Sequence, residues 1–250
     1  MKIISILNHK GGTGKTTSTA NIGAGLARLN KKTLLIDIDP QANLTEGLGL
    51  INTEKSIYDS IKDDKYKTPL PIVEISEFLH LVPSSLDLLG AELELVSRSK
   101  RESILEKLIQ GININYDYII IDCPPAMGLL TLNALVPSTT VLVPLEAEFY
   151  AYKGIDRLIN IIENVQFNFN PELAIGGVFI TKCNSQRILT DNIKTSVKKY
   201  FGEKLFNTSI RVNVALAEAP VSGQNIFDYA PTSNGAIDYG NLVDEILMKI

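Results

Sequence analysis

Apolar runs and amphipathic segments alternate along this chain. Residues 3–7 are almost uninterruptedly apolar, as expected of a parallel strand that is buried on both faces. After them, Ile22, Leu26 and Leu29 recur at helical spacing. This spacing predicts a helix that ends near residues 30–32.

Three later apolar runs, which begin at Thr33, Tyr118 and Ile175, predict further strands. Because no linker, repeat or low-complexity segment interrupts the chain, we expect a single domain over residues 1–250. The alternation of strands and helices predicts a three-layer α/β fold, with a twisted, mainly parallel sheet and helices on both faces.

Two amphipathic segments lie near the end of the chain. Residues 187–201 predict a helix that has Ile193, Val197 and Phe201 on its apolar face. Residues 241–250 have the apolar positions of a terminal helix that packs on the body of the protein.

Composition narrows the class of protein. Apolar residues make up 45% of the 250 positions, which is enough for a large core, and the formal net charge is −4. A protein of this charge binds nucleic acid only through a local basic patch. Cys123 and Cys183 are too few for a disulfide framework or a zinc site, and this favours a reduced cytosolic setting. No signal peptide and no apolar stretch long enough to span a membrane is evident.

A glycine-rich phosphate loop lies between the first predicted strand and helix. Its residues are Lys10, Gly11, Gly12, Thr13, Gly14, Lys15, Thr16 and Thr17. Backbone N–H groups of such a loop surround an oligophosphate, and the dipole of the following helix also favours the anion. In this motif Lys15 reaches the β- and γ-phosphates and the Thr16 hydroxyl ligates Mg²⁺. His9 stands where the strict pattern has glycine, and Lys10 is an additional lysine. We therefore expect a P-loop NTPase fold.

Three aspartates follow predicted strands. Asp37 and Asp39 leave their strand on the same side, near its carboxyl end, where open α/β sheets bind ligands. They are candidates for holding Mg²⁺-bound water or orienting an attacking water, and the alternative is a turn before Pro40. Asp122 ends an apolar strand in the manner of a Walker B acid, which helps to hold Mg²⁺ beside the phosphates. Cys123, next to it, is interpreted as a packing residue.

These motifs give the chain a resemblance that can be named. It resembles the ParA/MinD family of deviant Walker A ATPases, and within it the ParA/Soj branch. The matching segments are KGGTGKTT at 10–17, DIDPQANLT at 37–45, DCPPAMGLLTLNAL at 122–135, PLEAEFYAYKG at 144–154 and ALAEAPVSGQNIFDYAPTSNGAIDY at 215–239. The least similar portion is roughly 51–80, which carries a charged cluster at 62–65 and is interpreted as a solvated surface loop.

The resemblance implies a homodimer in which two subunits enclose two ATP molecules. Lys10 would contact the partner's phosphates, whereas Lys15 would serve its own nucleotide. Thr17 would contact the α-phosphate. Asp39 would position the attacking water, and Asp37 and Asp122 would support the metal through water. Hydrolysis would be slow until a partner completes the site.

The resemblance also suggests contacts to the adenine base. Asn184 lies near the end of the strand that begins at Ile175, where relatives place an Asn or Asp beside the base. The alternative for Asn184 is a turn residue. Residues 211–213 match the other loop on the base side, so Arg211 is a second candidate, although relatives usually have Pro-Arg-Asn there.

DNA is the favoured ligand of the ATP-bound state. Residues 182–211 carry seven cations and two anions, which suits sequence-independent contacts to phosphates. The candidate DNA residues are Arg187, Lys194, Lys198 and Lys199. The alternative is a solvated helix face. The chain departs from ParA/Soj relatives at Gln186 and Ala215, where those relatives carry arginine.

The resemblance implies a ParB-like, centromere-bound partner and a cytoplasmic, nucleoid-associated protein. We expect no N-terminal helix-turn-helix domain. Membrane targeting of the MinD kind is disfavoured because residues 241–250 carry two acids and one lysine. Iron–sulfur reductases of the superfamily are disfavoured because the two cysteines do not match their placement. Biotin-pathway ligases lack the Asp-Pro-Gln and Ala-Glu-Ala-Pro segments present here.

Overall fold

The structure is a computed structural model that describes residues 1–147, 155–183 and 188–250, and for 188–194 it describes the backbone only. The described strands form one eight-stranded sheet. They are β1 (Lys2–Ile6), β2 (Thr33–Asp37), β3 (Val73–Ser76), β4 (Leu79–Val82), β5 (Tyr118–Asp122), β6 (Thr140–Glu146), β7 (Ala174–Cys183) and β8 (Leu205–Arg211).

The sheet is mainly parallel. Its strand order is β3-β4-β2-β5-β1-β6-β7-β8, and every neighbouring pair is parallel except β3 with β4. The registers align Asp37 with Asp122 and Ile6 with Asp122. The carboxyl ends of β1, β2 and β5 therefore meet at one edge, near the centre of the sheet.

Helices connect the strands and cover both faces of the sheet. They are α1 (Lys15–Arg28), α2 (Asn43–Gly47), α3 (Ile57–Lys62), α4 (Leu88–Glu94), α5 (Ile104–Gln110), α6 (Leu129–Leu135), α7 (Ile155–Asn168), α8 (Ile188–Phe201), α9 (Ala215–Glu218), α10 (Ile226–Tyr229) and α11 (Asn234–Lys249). Short 3₁₀ turns lie at Leu95–Ser97, Arg101–Ser103, Gly202–Lys204 and Ala219–Ser222.

Alternating side chains of β5 divide between two cores. Ile119 and Ile121 pack into one core together with residues of α3, α4, α5, α6 and α7, whereas Ile120 packs into the other with residues of α1 and α11. Successive side chains of a strand point to opposite faces, so a strand covered on both faces is apolar without interruption. The predicted three-layer α/β fold is confirmed.

The ends of the chain pack largely as expected. Ile22 and Leu26 of α1 are buried, and Leu242 and Ile246 of α11 are buried in the same core. The prediction that Leu29 lies on the apolar face of this helix is wrong, because α1 ends at Arg28 and Leu29 is 46% exposed. Among the described residues, none of the helices combines the length and the apolar character needed to cross a membrane.

The prediction of a solvated loop over residues 51–80 is wrong. This segment contains α3 and β3 and leads into β4, and it buries Ile57, Ile61 and Leu70 in the core. The Ser56 hydroxyl and the Asp59 carboxylate form a capping box at the start of α3. The elements are too short to show a clear period, and the charged cluster begins at Lys62, the last residue of α3, and continues into the turn that follows.

Two isoleucines of this segment provide a matched test. Ile61 is 1% exposed and Ile51 is 73% exposed. We expect Ile61→Ala to lower the free energy of unfolding by about 2–5 kcal/mol, because it leaves a cavity in the core. Ile51→Ala is expected to change it by about 0.5 kcal/mol or less. Urea denaturation of both variants measures the difference, and equal values would contradict the packing of α3.

Candidate functional site

The phosphate loop connects β1 to α1 at the carboxyl edge of the sheet. Gly12 and Gly14 have φ angles of 76° and 87°, which favour glycine, and Gly14 is the N-cap of α1. The carbonyl oxygen of Thr13 accepts a hydrogen bond of 2.8 Å from Thr181 Oγ1 on β7. The loop is therefore fixed to β7 as well as to β1, from which it leaves.

Asn8 is a second anchor that the motif analysis missed. Its side chain is buried, and its Nδ2 donates to the carbonyl oxygen of Pro144 at 2.7 Å. Its Oδ1 accepts from the backbone N–H of Lys10 at 3.0 Å. Asn8 thus ties the start of the loop to β6. The signal available in the sequence is a polar residue directly after an apolar strand.

Lys15 lies inside the loop. It is 7% exposed, and its Nζ donates to the carbonyl oxygen of Lys10 at 3.2 Å. Burial lowers the pKa of Lys15, while the negative charges of Asp122 and Asp39 act in the opposite direction. This contact directs the Lys15 side chain back onto the start of its own loop.

Asp122 ends β5 and is completely buried. Its Oδ1 accepts from Thr19 Oγ1 at 3.1 Å, and its Oδ2 has no hydrogen-bond partner among the described residues. Burial raises the pKa of Asp122, the charge of Asp37 raises it further, and the hydroxyls of Thr16 and Thr19 lower it. An orphaned carboxylate oxygen beside Thr16 fits the coordination sphere of a Mg²⁺ ion or of its bound water.

Protein carboxylates alone do not build this metal site. Among the described residues, no three His, Cys, Asp or Glu side chains converge in a group able to hold an ion. Mg²⁺ usually keeps several waters and is bound through one or two carboxylates together with substrate phosphates. The arrangement therefore suits a metal that arrives with a nucleotide.

Asp37, a candidate for supporting the metal, also has a structural role. It is fully buried, and its Oδ2 accepts from the backbone N–H and the hydroxyl of Thr45, at 2.9 and 2.7 Å. Its Oδ1 accepts from the backbone N–H of Asp39 at 3.1 Å. Burial raises the pKa of Asp37, and these hydrogen bonds oppose the shift. Asp37 therefore fixes the turn that presents Asp39.

Asp39 lies at the edge of the site and is 7% exposed. Its Oδ1 accepts from the backbone N–H of Gln41 at 3.0 Å, and its carbonyl oxygen accepts from Ser84 Oγ at 2.7 Å. These contacts hold the carboxylate in one position, and within the described part of the chain no hydrogen bond is made by its Oδ2.

Lys10 does not face the interior of its own loop. Its Nζ lies 3.3 Å from Glu146 Oε2, and Nζ of Lys182 lies 3.0 Å from Glu146 Oε1. The lysine side chains are 45% and 50% exposed, and that of Glu146 is 15% exposed. One carboxylate at the end of β6 thus holds both lysines, a contact that motif analysis did not reveal.

At the end of β8, Arg211, a candidate for contacting the adenine base, is already engaged. Its Nε and Nη2 donate to the carboxylate of Asp238, and the closest pair is 2.6 Å apart. Nearby in sequence, Oδ1 of Asn213 is buried without a hydrogen-bond partner among the described residues, so it is an acceptor that the sequence analysis did not select from residues 211–213. Asn184 lies outside the described residues.

The structure also lowers the number of cations in residues 182–211 that a ligand could use. Lys182 and Arg211 are paired with Glu146 and Asp238. Lys198 and Lys199 are exposed on α8, whose Val197 and Phe201 are buried as predicted. Arg187 and Gln186 lie outside the described residues, as do the side chains of Lys194 and Ile193. Ala215 begins α9.

The thiol of Cys123 is buried, and burial raises its pKa to about 12. A thiol of this kind is not a nucleophile at neutral pH. The interpretation of Cys123 as a packing residue is therefore supported.

Comparison with known proteins gives consistent matches. A family model described as an AAA domain matches residues 1–175. The sporulation initiation inhibitor protein Soj of Bacillus subtilis (strain 168) is 44% identical over 247 residues, which covers 98% of both chains. The chromosome-partitioning ATPase Soj of Treponema pallidum (strain Nichols) is 40% identical over 248 residues, covering 99% of this chain and 98% of the relative.

A solved structure is also similar over almost the whole chain. It is a cobyrinic acid a,c-diamide synthase from Mycobacterium smegmatis with bound ADP and magnesium. The two chains are 30% identical with a TM-score of 0.86, and the match covers 99% of this chain and 94% of the other. The predicted P-loop NTPase fold is confirmed by this likeness.

The anchoring role of Asn8 is testable. We expect Asn8→Ala to weaken ATP binding about tenfold, because the buried Pro144 carbonyl and the Lys10 N–H lose their partner at a cost of about 1–3 kcal/mol. Isothermal titration calorimetry measures the affinity. Asn241→Ala, an exposed position on α11, is the matched control. An unchanged affinity in Asn8→Ala would show that the loop keeps its shape without this anchor.

Proposed function

Because the chain belongs to the Soj/ParA family of chromosome-partitioning ATPases, we propose that it is an ATP-dependent dimerising switch for chromosome or plasmid partitioning. The ATP-bound dimer binds DNA without sequence preference, and a ParB-like partner triggers hydrolysis and release. The observation that carries the proposal is the different placement of two lysines in one phosphate loop. Lys15 points into the loop, whereas Lys10 points away from it to Glu146.

The family membership confirms the ATPase class and the cofactors predicted from the sequence, which are ATP and Mg²⁺. The roles of individual residues are part of the proposal. Lys15 exchanges the Lys10 carbonyl for the β- and γ-phosphates of its own nucleotide, and Thr17 contacts the α-phosphate. When bound, Mg²⁺ supplies positive charge beside the phosphates. Thr16 and Asp122 would hold it directly or through water, with Asp37 in support.

Asp39 positions the attacking water in this proposal. Its backbone N–H and its carbonyl oxygen are tied to Asp37 and Ser84, so its carboxylate has a fixed place at the mouth of the site. Catalysis then consists of positioning and charge stabilisation. Hydrolysis remains slow until a partner completes the arrangement, as in other P-loop switches.

Lys10 links the nucleotide to dimerisation. In the isolated subunit its ammonium group is paired with Glu146 at the rim of the site. A lysine at this rim can exchange a carboxylate for a phosphate of the facing subunit, which makes dimerisation depend on bound ATP. On the base side, Asn184 and Arg211 remain the candidate contacts to adenine, and Arg211 would have to leave Asp238 to make one.

DNA binding rests on a smaller patch than the charge count suggested. Lys198 and Lys199 are exposed in a protein of net charge −4. With Lys194, and with Arg187, which precedes α8 in the sequence and lies outside the described residues, they make up the proposed phosphate-contacting patch. Dimerisation doubles this patch, so DNA affinity follows the nucleotide state. We place this single ATPase domain in the cytoplasm, associated with the nucleoid.

The first test separates ATP binding from hydrolysis. We expect Asp39→Ala to bind ATP and accumulate as a DNA-binding dimer, with hydrolysis reduced about a hundredfold because the water is no longer positioned. Phosphate release and light scattering measure the two properties. Lys15→Ala is expected to lose ATP binding and dimerisation, and Asp244→Ala, exposed on α11, serves as the unchanged control. Hydrolysis at the normal rate in Asp39→Ala would exclude the proposed role.

The second test concerns DNA. We expect the double variant Lys198→Glu/Lys199→Glu to weaken ATP-dependent DNA binding and to keep ATPase activity. The slope of log affinity against log salt should become shallower by about 1 for each lysine–phosphate interaction that the variant removes. The control pair is Lys31→Glu/Lys32→Glu. These two lysines lie just before β2, which is five strands away from β8 in the sheet and therefore far from the strand that follows α8.

Filter-binding titrations with ATP, with ADP and without nucleotide measure both pairs. Unchanged DNA affinity in the α8 variant would place the patch elsewhere. ATP-stimulated binding to liposomes without DNA binding would favour a MinD-like positioning ATPase.

A further inference from the structure

Lys182, near the end of β7, lies against the phosphate loop. Its Nζ is 3.8 Å from the position that a Cβ atom on Gly12 would occupy. Gly12 has a φ angle of 76° and belongs to the loop whose backbone N–H groups surround an oligophosphate in this motif. The ammonium group of Lys182 is therefore next to the backbone that binds phosphate in the proposed function.

The residues on either side fix the place of Lys182 relative to the loop. Thr181 donates to the carbonyl oxygen of Thr13 at 2.8 Å, and Cys183 is buried. Between them Lys182 has a φ angle of 52°, a left-handed conformation that residues with a Cβ atom rarely adopt. Such conformations are concentrated at ligand sites, where the surrounding structure maintains them. β7 thus ends in a turn that keeps the Lys182 side chain within reach of the loop.

Glu146 holds the ammonium group of Lys182 at this place. β6 and β7 are parallel, and Glu146 is in register with Thr181. Oε1 of Glu146 lies 3.0 Å from Nζ of Lys182, and Oε2 lies 3.3 Å from Nζ of Lys10. One carboxylate therefore has a lysine on each of its oxygens, which leaves an excess of positive charge at the rim of the loop.

Other charges act at the start of the loop as well. Burial lowers the pKa of His9, and the positive charge of Arg157, followed by those of the two loop lysines, lowers it further. Arg157 is exposed on α7. The charges of Asp39 and Asp122 act on the Lys15 ammonium group. The first half of the loop is thus rich in cations, and an anionic group is the ligand that suits it.

The chemistry of the ammonium group permits a second contact. A lysine ammonium has three donors, and within the described part of the chain Lys182 directs one of them to Glu146. Another donor can reach a ligand while that pair stays intact. In the proposed function Thr17 contacts the α-phosphate and Lys15 the β- and γ-phosphates. Gly12 precedes both in the loop, so its neighbourhood belongs to the terminal phosphate.

We infer that Lys182 contacts the terminal phosphate of a nucleotide bound in its own subunit and so selects a nucleoside triphosphate over a diphosphate. One donor of its ammonium group stays with Glu146 and another reaches the phosphate. This role rests on the proposed function, which sets the direction of the nucleotide in the loop. It differs from the role proposed for Lys10, whose phosphate belongs to the facing subunit.

The ratio of ATP affinity to ADP affinity measures the contact. We expect Lys182→Gln to lower this ratio about tenfold, because a charge-assisted hydrogen bond to the terminal phosphate is lost. Lys182→Arg keeps the positive charge and is expected to keep most of the ratio. Competition against a fluorescent nucleotide gives both affinities for the full-length protein, at concentrations where sedimentation shows monomers.

Lys249→Gln is the matched control. Lys249 and Glu245 form an ion pair of 3.0 Å on α11, and their side chains are 34% and 12% exposed. The pair of Lys182 and Glu146 has the same length, with 50% and 15% exposed. The control is expected to keep the ratio. Equal weakening of ATP and ADP binding in Lys182→Gln, an unchanged ratio, or the same fall in Lys249→Gln would overturn the inference.

Glu146 provides a second readout. Its charge competes with the phosphate for Lys182, so we expect Glu146→Gln to raise the ratio of ATP affinity to ADP affinity. The gain is expected to be larger in the unchanged background than in the Lys182→Gln background, which a double-mutant cycle measures. Equal gains in both backgrounds would contradict a contact made by Lys182.

Dimerisation and DNA binding are measured on the same proteins. Loss of the ATP-dependent dimer in Lys182→Gln with an unchanged ratio in the monomer would place Lys182 on the facing subunit's phosphate and overturn the inference. A ratio that depends on Lys182, in a protein that forms no DNA-binding dimer with ATP, refutes the proposed function alone. An ATP-dependent, DNA-binding dimer whose ratio ignores Lys182 refutes the inference alone.

Discussion

The burial of Asp122 at the carboxyl end of β5 constrains the whole edge of the sheet that carries the phosphate loop. A carboxylate removed from water is costly unless it is paired. Two buried aspartates, Asp37 and Asp122, end neighbouring strands in register, and Lys15 is the buried cation near them. Asp37 is satisfied by Thr45 and Asp39, but one oxygen of Asp122 has no partner among the described residues. The folded chain therefore carries an electrostatic cost at this edge that the metal-bound nucleotide of the proposed function would relieve.

This edge is the part of the molecule that could be predicted best from the sequence, and the reason is physical. A parallel strand buried on both faces is apolar throughout, so an aspartate at its end stands out, as Asp37 and Asp122 do. The same reasoning failed for α3 and β3, which are only six and four residues long. Ile61 and Leu70 are buried there by tertiary contacts that local periodicity does not record.

Asn8 and Glu146 show the second limit of sequence reasoning. Each acts through a partner more than 130 positions away along the chain, Pro144 for Asn8 and Lys10 for Glu146. Counting charges in a window also treats every lysine and arginine as available. The pairing of Lys182 with Glu146 and of Arg211 with Asp238 removes two cations from the basic stretch, and only coordinates reveal these pairs.

The double pairing of Glu146 has a consequence for the switch. An exposed ion pair contributes about 0–1 kcal/mol, whereas a charge left alone in a partly buried place is costly. If Lys10 exchanged Glu146 for a phosphate group, as we propose, Glu146 would keep Lys182 and would not be left unpaired. Loss of this one ion pair would therefore cost little, and until then the pair holds the flexible Lys10 side chain at the rim. Under the proposed function, Glu146 would favour ATP-dependent dimerisation by orienting Lys10 and would not act as a strong lock on it.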